Sequence, residues 1–148
     1  MSSARAEGRG VVAVSTVGPV GVDIEVVTTA KFPDHVADVM LSPRELHLYA
    51  AASLSARPGW LGRAWVSKEA LLKGLGCGLE IDPASIDVTP EPDGRRPTGT
   101  WRPVSPRPGW WLLELDWGDD VVAVASLPRP ASLDFVELVA DEPVASRR

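Results

Sequence analysis

The stretch "RAWVSKEALLKGLGCG", Arg63–Gly78, sets three charges, Lys68, Glu69 and Lys73, inside an otherwise apolar segment. It reads as the end of a helix running from about Trp60 to Leu75. Gly74, Gly76 or Gly78 is placed to stop it in the left-handed conformation. Glu69 and Lys73 lie four residues apart and share a helix face, and Trp65 extends the same stripe by one turn. Lys68 stands about 100° around the helix from Glu69. Taken alone, this is an amphipathic helix with a solvated face and a surface ion pair worth about 0.3–0.5 kcal/mol.

Upstream, "SPRE" (Ser42–Glu45) has the form of a helix start: Ser42 caps, Pro43 fits the first turn and Glu45 completes a capping box. A shorter helix is expected around Asp34–Leu41. Further upstream, "VVAVST" (Val11–Thr16) and "VGVDIEVV" (Val20–Val27) read as strands, expected to pair as a hairpin across "VGP". Alternation puts Val22, Ile24 and Val26 on one face and Asp23 and Glu25 on the other. Downstream, "SIDVTP" reads as a weak strand and "EPDGRRPTG" as a turn-rich connection. "WWLLELDWGDDVVAVASL" reads as two strands joined at "WGDD", and "LDFVELV" as a last strand. The order ββ-α-α-α-βββ predicts an α+β fold, with helices packed on one antiparallel sheet. Residues 1–148 are expected to form one domain, with loose ends at 1–10 and 140–148.

Bulk properties narrow the function classes. A hydrophobic share of 45% and a charged share of 24% are those of an ordinary soluble domain. The net charge of −5 argues against broad nucleic-acid binding, so any anionic ligand must meet a local basic cluster. No run of apolar residues is long enough for a membrane span. The single cysteine, Cys77, excludes an internal disulfide framework and fits a cytoplasmic setting. The six tryptophans are scattered over helix and strands, which favours packing over a stacking platform.

Asp23 and Glu25 on one strand face are oxygen donors of the kind Mg²⁺ takes, although such a pair alone reads as a solvated face. Two lysines near a carboxylate suit phosphate and metal together. The two blocks gain meaning jointly. "VGVDIE", 39 residues, then "WVSKEALLK" resembles the signature of the 4′-phosphopantetheinyl transferase superfamily, matched at Gly21, Val22, Asp23, Glu25, Trp65, Ser67, Lys68, Glu69, Ala70 and Lys73. The late hairpin resembles that of the larger, surfactin-synthetase-type members.

The resemblance implies transfer of the 4′-phosphopantetheine arm of coenzyme A to a serine of an acyl or peptidyl carrier protein, with Mg²⁺ as cofactor. It makes Asp23, Glu25 and Glu69 metal ligands, with Glu69 also taking the serine proton. It gives Lys68 and Lys73 the coenzyme A phosphates, and sets Trp65 as a buttress of the helix against the sheet. Larger members have two similar halves, and a histidine before the first strand touches the phosphates. Here the only histidines, His35 and His47, follow the Asp23 strand, which leaves Arg5 or Arg9 as substitutes. The match is to one half, so a homo-oligomer is expected. The segment between the blocks, with Arg44, Leu48 and Arg57, is a candidate carrier-protein surface. Two competing readings are a degenerate homologue that binds without turnover, and a Mg²⁺-dependent nuclease. The nuclease pattern sets its Glu and Lys one residue apart on a strand.

Overall fold

In the computed structural model, residues 1–26, 33–89, 99–134 and 136 are described. Three strands come first: β1 (Ser2–Ala6), β2 (Arg9–Ala13) and β3 (Val20–Val26). Three helices follow, α1 (Ala37–Met40), α2 (Pro43–Ala51) and α3 (Arg57–Leu75), with short 3₁₀ turns at Asp34–Val36, Gly78–Glu80 and Pro83–Ser85. Strands β4 (Arg102–Val104), β5 (Arg107–Trp117) and β6 (Asp120–Ser126) complete the order. The expected α+β class, with helices on an antiparallel sheet, is what the chain adopts.

The pairing differs from expectation. β3 does not pair with the strand before it. It pairs antiparallel with β6, in a four-stranded sheet of order β3-β6-β5-β4. The early hairpin is β1–β2, which joins residues 1–10, expected to be a loose lead-in, to the start of the expected Val11–Thr16 strand. Its loop is Glu7-Gly8, both at positive φ (+44° and +85°), the two-residue geometry whose twist suits a hairpin. The "WGDD" hairpin forms as read, with Trp117 opposite Asp120. "SIDVTP" yields an isolated bridge, Asp87 to Ser105, in place of a strand. "EPDGRRPTG" up to its last glycine, most of "LDFVELV" and the 140–148 tail lie outside the described residues; Leu133, Asp134 and Val136 are in no strand.

Alternation along the sheet creates two faces. Val22, Ile24, Val122 and Val124 meet Ala6 and Val11 of the hairpin in one apolar cluster. The opposite face, with Val121, Ala123, Ala125 and Leu112, meets Val66, Ala70, Leu71 and Leu72 of α3. A third cluster joins α1 and α2 to Leu61 and Ala64 of α3. Helix α3 is therefore enclosed on several sides, and none of its nineteen residues is exposed. That corrects the amphipathic reading: no face of the helix is fully exposed, and its polar residues Arg63 and Lys73 are only part-exposed. It ends where expected, with Gly76 left-handed at φ +74°.

Helix and strand meet at very short range. A Cβ on Gly21 would lie 1.9 Å from the Ala70 carbonyl oxygen and 2.4 Å from the Gly74 nitrogen. Ala123 and Ala125, the β6 partners of Asp23 and Gly21, are also small and keep this approach open. A Cβ on Gly74 would meet the Trp110 ring at 2.7 Å, a side chain rather than backbone. Gly21→Ala is therefore expected to lose about 3 kcal/mol or more, because a backbone must move. Gly74→Ala should lose less. Urea unfolding of both variants checks the order.

Candidate active site

The Gly21 contact brings the two sequence blocks together. Asp23 leaves β3 on the helix side, two residues past Gly21, and is 7% exposed. Lys73 Nζ donates to Asp23 Oδ1 at 2.6 Å. Glu69, one turn earlier on α3, is half-buried and lies near enough for the Asp23 charge to act on it. Burial pushes the Asp23 carboxyl up; the Lys73 hydrogen bond and charge oppose this, and the Glu25 charge adds to it. Glu69 is also pushed up, by burial first and then by Asp23, with Lys73 opposing. Two carboxylates thus share one lysine in a partly dry corner. Glu25, half-buried, follows Asp23 on the same strand face.

These groups are oxygen donors suited to a hard cation. Among the described residues, though, no three His, Cys, Asp or Glu side chains converge as a ready-made metal cage. Mg²⁺ usually takes one or two protein carboxylates and completes its shell with water and substrate phosphate, so the residues fit a site finished by its substrate.

Lys68 is elsewhere, and this corrects its expected role at the coenzyme A phosphates. It is fully buried, with Nζ 2.7 Å from Glu45 Oε2. The same ammonium donates to the carbonyls of Met40 and Pro83 (2.7 Å each) and Ile86 (2.8 Å). It pins α1, α2 and the 83–86 segment to α3 beside Glu69. Glu45 forms the capping box with Ser42 as read, and also accepts from the Val88 amide at 2.8 Å. Trp65 packs with the helical cluster of α1 and α2, where the resemblance had set it against the sheet. Arg9 is engaged far from a phosphate role: it pairs with Asp120 and lies 5.3 Å over the Trp117 ring. In the segment between the blocks, Arg44 reaches Asp87, and Arg57 lies over the Tyr49 ring.

A second buried node was not foreseen. Glu114, fully buried on the helix-facing side of β5, accepts from Ser67 Oγ and from Arg102, each at 2.6 Å. The signal for Lys68 was in the sequence: it follows Leu61 and Ala64 and precedes Leu71 at helical spacing, in the buried stripe. For Glu114 the signal is its strand face, shared two residues away with Leu112 and paired with Ala123 of β6, both in the helix-facing core.

A family model described as the 4′-phosphopantetheinyl transferase superfamily matches residues 19–125, which hold both blocks and the late hairpin. The chain belongs to this superfamily. A similar solved structure is the holo-[acyl-carrier-protein] synthase of Thermotoga maritima, with a TM-score of 0.55 and 18% identity. The alignment covers 76% of this chain and 64% of that one, and at this identity it shows a shared fold. A comparison with curated proteins gives no match. Membership as a phosphopantetheinyl-transferase-type protein disfavours the nuclease reading, and so does the location of Glu69 and Lys73 on a helix rather than a strand.

Two predictions follow from the geometry. Lys68→Met leaves Glu45 charged and buried without its cation, so a loss of about 3–5 kcal/mol in urea unfolding is expected. A phosphate-binding lysine would instead raise a Michaelis constant with little change in stability. For Glu69, the folded protein holds the proton more tightly than the unfolded chain, so its ionised form opposes folding at neutral pH. That opposition fades as pH falls through the region just above the usual value of 4.5. Glu69→Gln should therefore be more stable than the parent at neutral pH without metal. The difference should shrink on acidification, in paired denaturation curves.

Proposed function

We propose that the protein transfers the 4′-phosphopantetheine arm of coenzyme A to a serine of an acyl or peptidyl carrier protein, with Mg²⁺ as cofactor. The observation that carries this reading is the meeting of Asp23, Glu69 and Lys73 from β3 and α3, with Lys73 on Asp23 at 2.6 Å. Asp23 and Glu69, with Glu25 beside them, would hold the metal, which would supply neutralisation of charge on the pyrophosphate in the transition state.

The chain's own residues supply the rest. Lys73 meets phosphate oxygen near the reacting phosphorus. Glu69, its carboxyl pushed up by burial and by Asp23, accepts the serine proton. The serine oxygen forms the new bond to the phosphorus nearer the pantetheine. The bond from that phosphorus to the bridging oxygen breaks, and adenosine 3′,5′-bisphosphate leaves. Asp23 is itself largely buried, with Ala123 across the ladder, and this dryness strengthens each of these charge interactions.

Assembly belongs to the same reading. The β2–β3 side of the sheet carries a groove of about 260 Å³ lined by Val11, Val20, Val22, Trp117 and Val124. Val12, Val14 and Val17 stand exposed around it. Such an apolar face supports a homo-oligomer. Light scattering at micromolar concentration should give more than one chain per particle.

Intact-mass spectrometry of an apo carrier protein incubated with coenzyme A, Mg²⁺ and this protein tests the transfer. The carrier should gain one phosphopantetheinyl group. Asp23→Asn or Glu69→Gln should cut the rate by about a hundredfold to ten-thousandfold, with folding intact. Coenzyme A binding without any mass gain would select the non-catalytic homologue instead.

A further inference from the structure

On the reading above, Asp23 belongs to a metal and Lys73 to a phosphate, yet each holds the other. Lys73 Nζ lies 2.6 Å from Asp23 Oδ1, with the lysine side chain 32% exposed and the aspartate 10%. We propose that Lys73 is the resident counter-ion of Asp23 in the metal-free protein, and that a divalent cation enters by displacing this ammonium, which is thereby released toward phosphate. The inference rests on the assignment of Asp23 to a metal.

The surroundings of Asp23 argue for it. The charged neighbours besides Lys73 are negative: Glu25 on its own strand pushes the Asp23 carboxyl up, and Asp23 in turn pushes up Glu69 on α3. Across the ladder stands Ala123, which offers no side-chain donor. The second lysine of the motif, Lys68, is fixed by Glu45 and three carbonyls. Among the described residues, Lys73 is thus the cation that keeps a pair of half-dry carboxylates tolerable before metal arrives.

The two cations exclude one another. Mg²⁺ sits about 2.1 Å from its oxygens, and an ammonium in hydrogen-bond contact with the same oxygen fills the approach and repels it. Lys73 reaches Asp23 with a long side chain from the more exposed side, so it leaves without moving β3 or α3. Phosphate offers the displaced ammonium a new partner. Metal and pyrophosphate binding should then favour each other, and the coupling is reciprocal.

Mn²⁺ binding followed by electron paramagnetic resonance of the free ion, without coenzyme A, tests this on the full chain. The comparison is between the parent, Lys73→Met, Asp23→Asn and the double variant. Lys73→Met should bind Mn²⁺ about fivefold more tightly or better, since the competing cation is gone. Asp23→Asn should abolish that gain. Lys73→Gln, also neutral, carries the same test if the methionine variant does not fold. A smaller gain, no change or weaker binding in the lysine variants, with Asp23→Asn still damaging, overturns the inference and leaves the metal assignment standing. Mn²⁺ binding indifferent to Asp23→Asn overturns both. Neither result depends on transfer activity, so failure of the transferase reading is distinguished in the mass assay.

Discussion

The backbone-to-backbone approach of α3 to β3 is the constraint on which everything else turns. Gly21 has no room for a methyl group, because the Ala70 carbonyl and the Gly74 nitrogen stand where it would be. That closeness sets Asp23 within reach of Lys73, and it requires small neighbours on both elements. Close packing of this kind forgoes side-chain area at the contact. The larger apolar residues on either side, such as Leu71, Leu72 and Leu112, supply the burial that holds the helix down.

Two buried charged nodes flank that contact and give the helix a definite rotation. Lys68 reaches into the α1–α2 side, while Ser67 reaches Glu114 and, through it, Arg102 on the sheet. Buried ion pairs contribute little net stability against an apolar alternative, but breaking one is costly. A helix with a ring of small and apolar residues could settle at several rotations. One with Ser67 and Lys68 tied on adjacent sides has a single orientation in which both are satisfied, and in it Glu69 and Lys73 face Asp23.

The parts legible in the sequence were those with local chemistry. The Ser42–Glu45 cap, the glycine stop of α3 and the "WGDD" hairpin each rest on rules that act within a few residues. Strand pairing was misread because β3 finds its partner in β6, about a hundred residues later, and no local signal distinguishes that from pairing with a neighbour. The β1–β2 hairpin was missed because "AEGRG" looks polar and loose, although Glu7-Gly8 is a serviceable two-residue turn. The two blocks do meet in space: Lys73 is hydrogen-bonded to Asp23, and Glu69 lies within reach of the Asp23 charge. Lys68 is the exception, because its charge suggests solvent while its position in the apolar stripe points inward, where it is fully buried.

The enclosure of α3 has an evolutionary consequence. A typical surface helix has one face on which sequence drifts freely while the other keeps the fold. Here no position from Arg57 to Leu75 is fully exposed, and the part-exposed ones include Glu69 and Lys73. Nearly every substitution in the helix is therefore felt by the core, by the charged nodes or by the site. Divergence among relatives should accumulate instead in β1, β2 and the connections around α2, where side chains such as Val12, Val39 and Leu54 are free to change. New specificities on this scaffold arise by rebuilding what surrounds the helix, with the helix itself carried along as a fixed part.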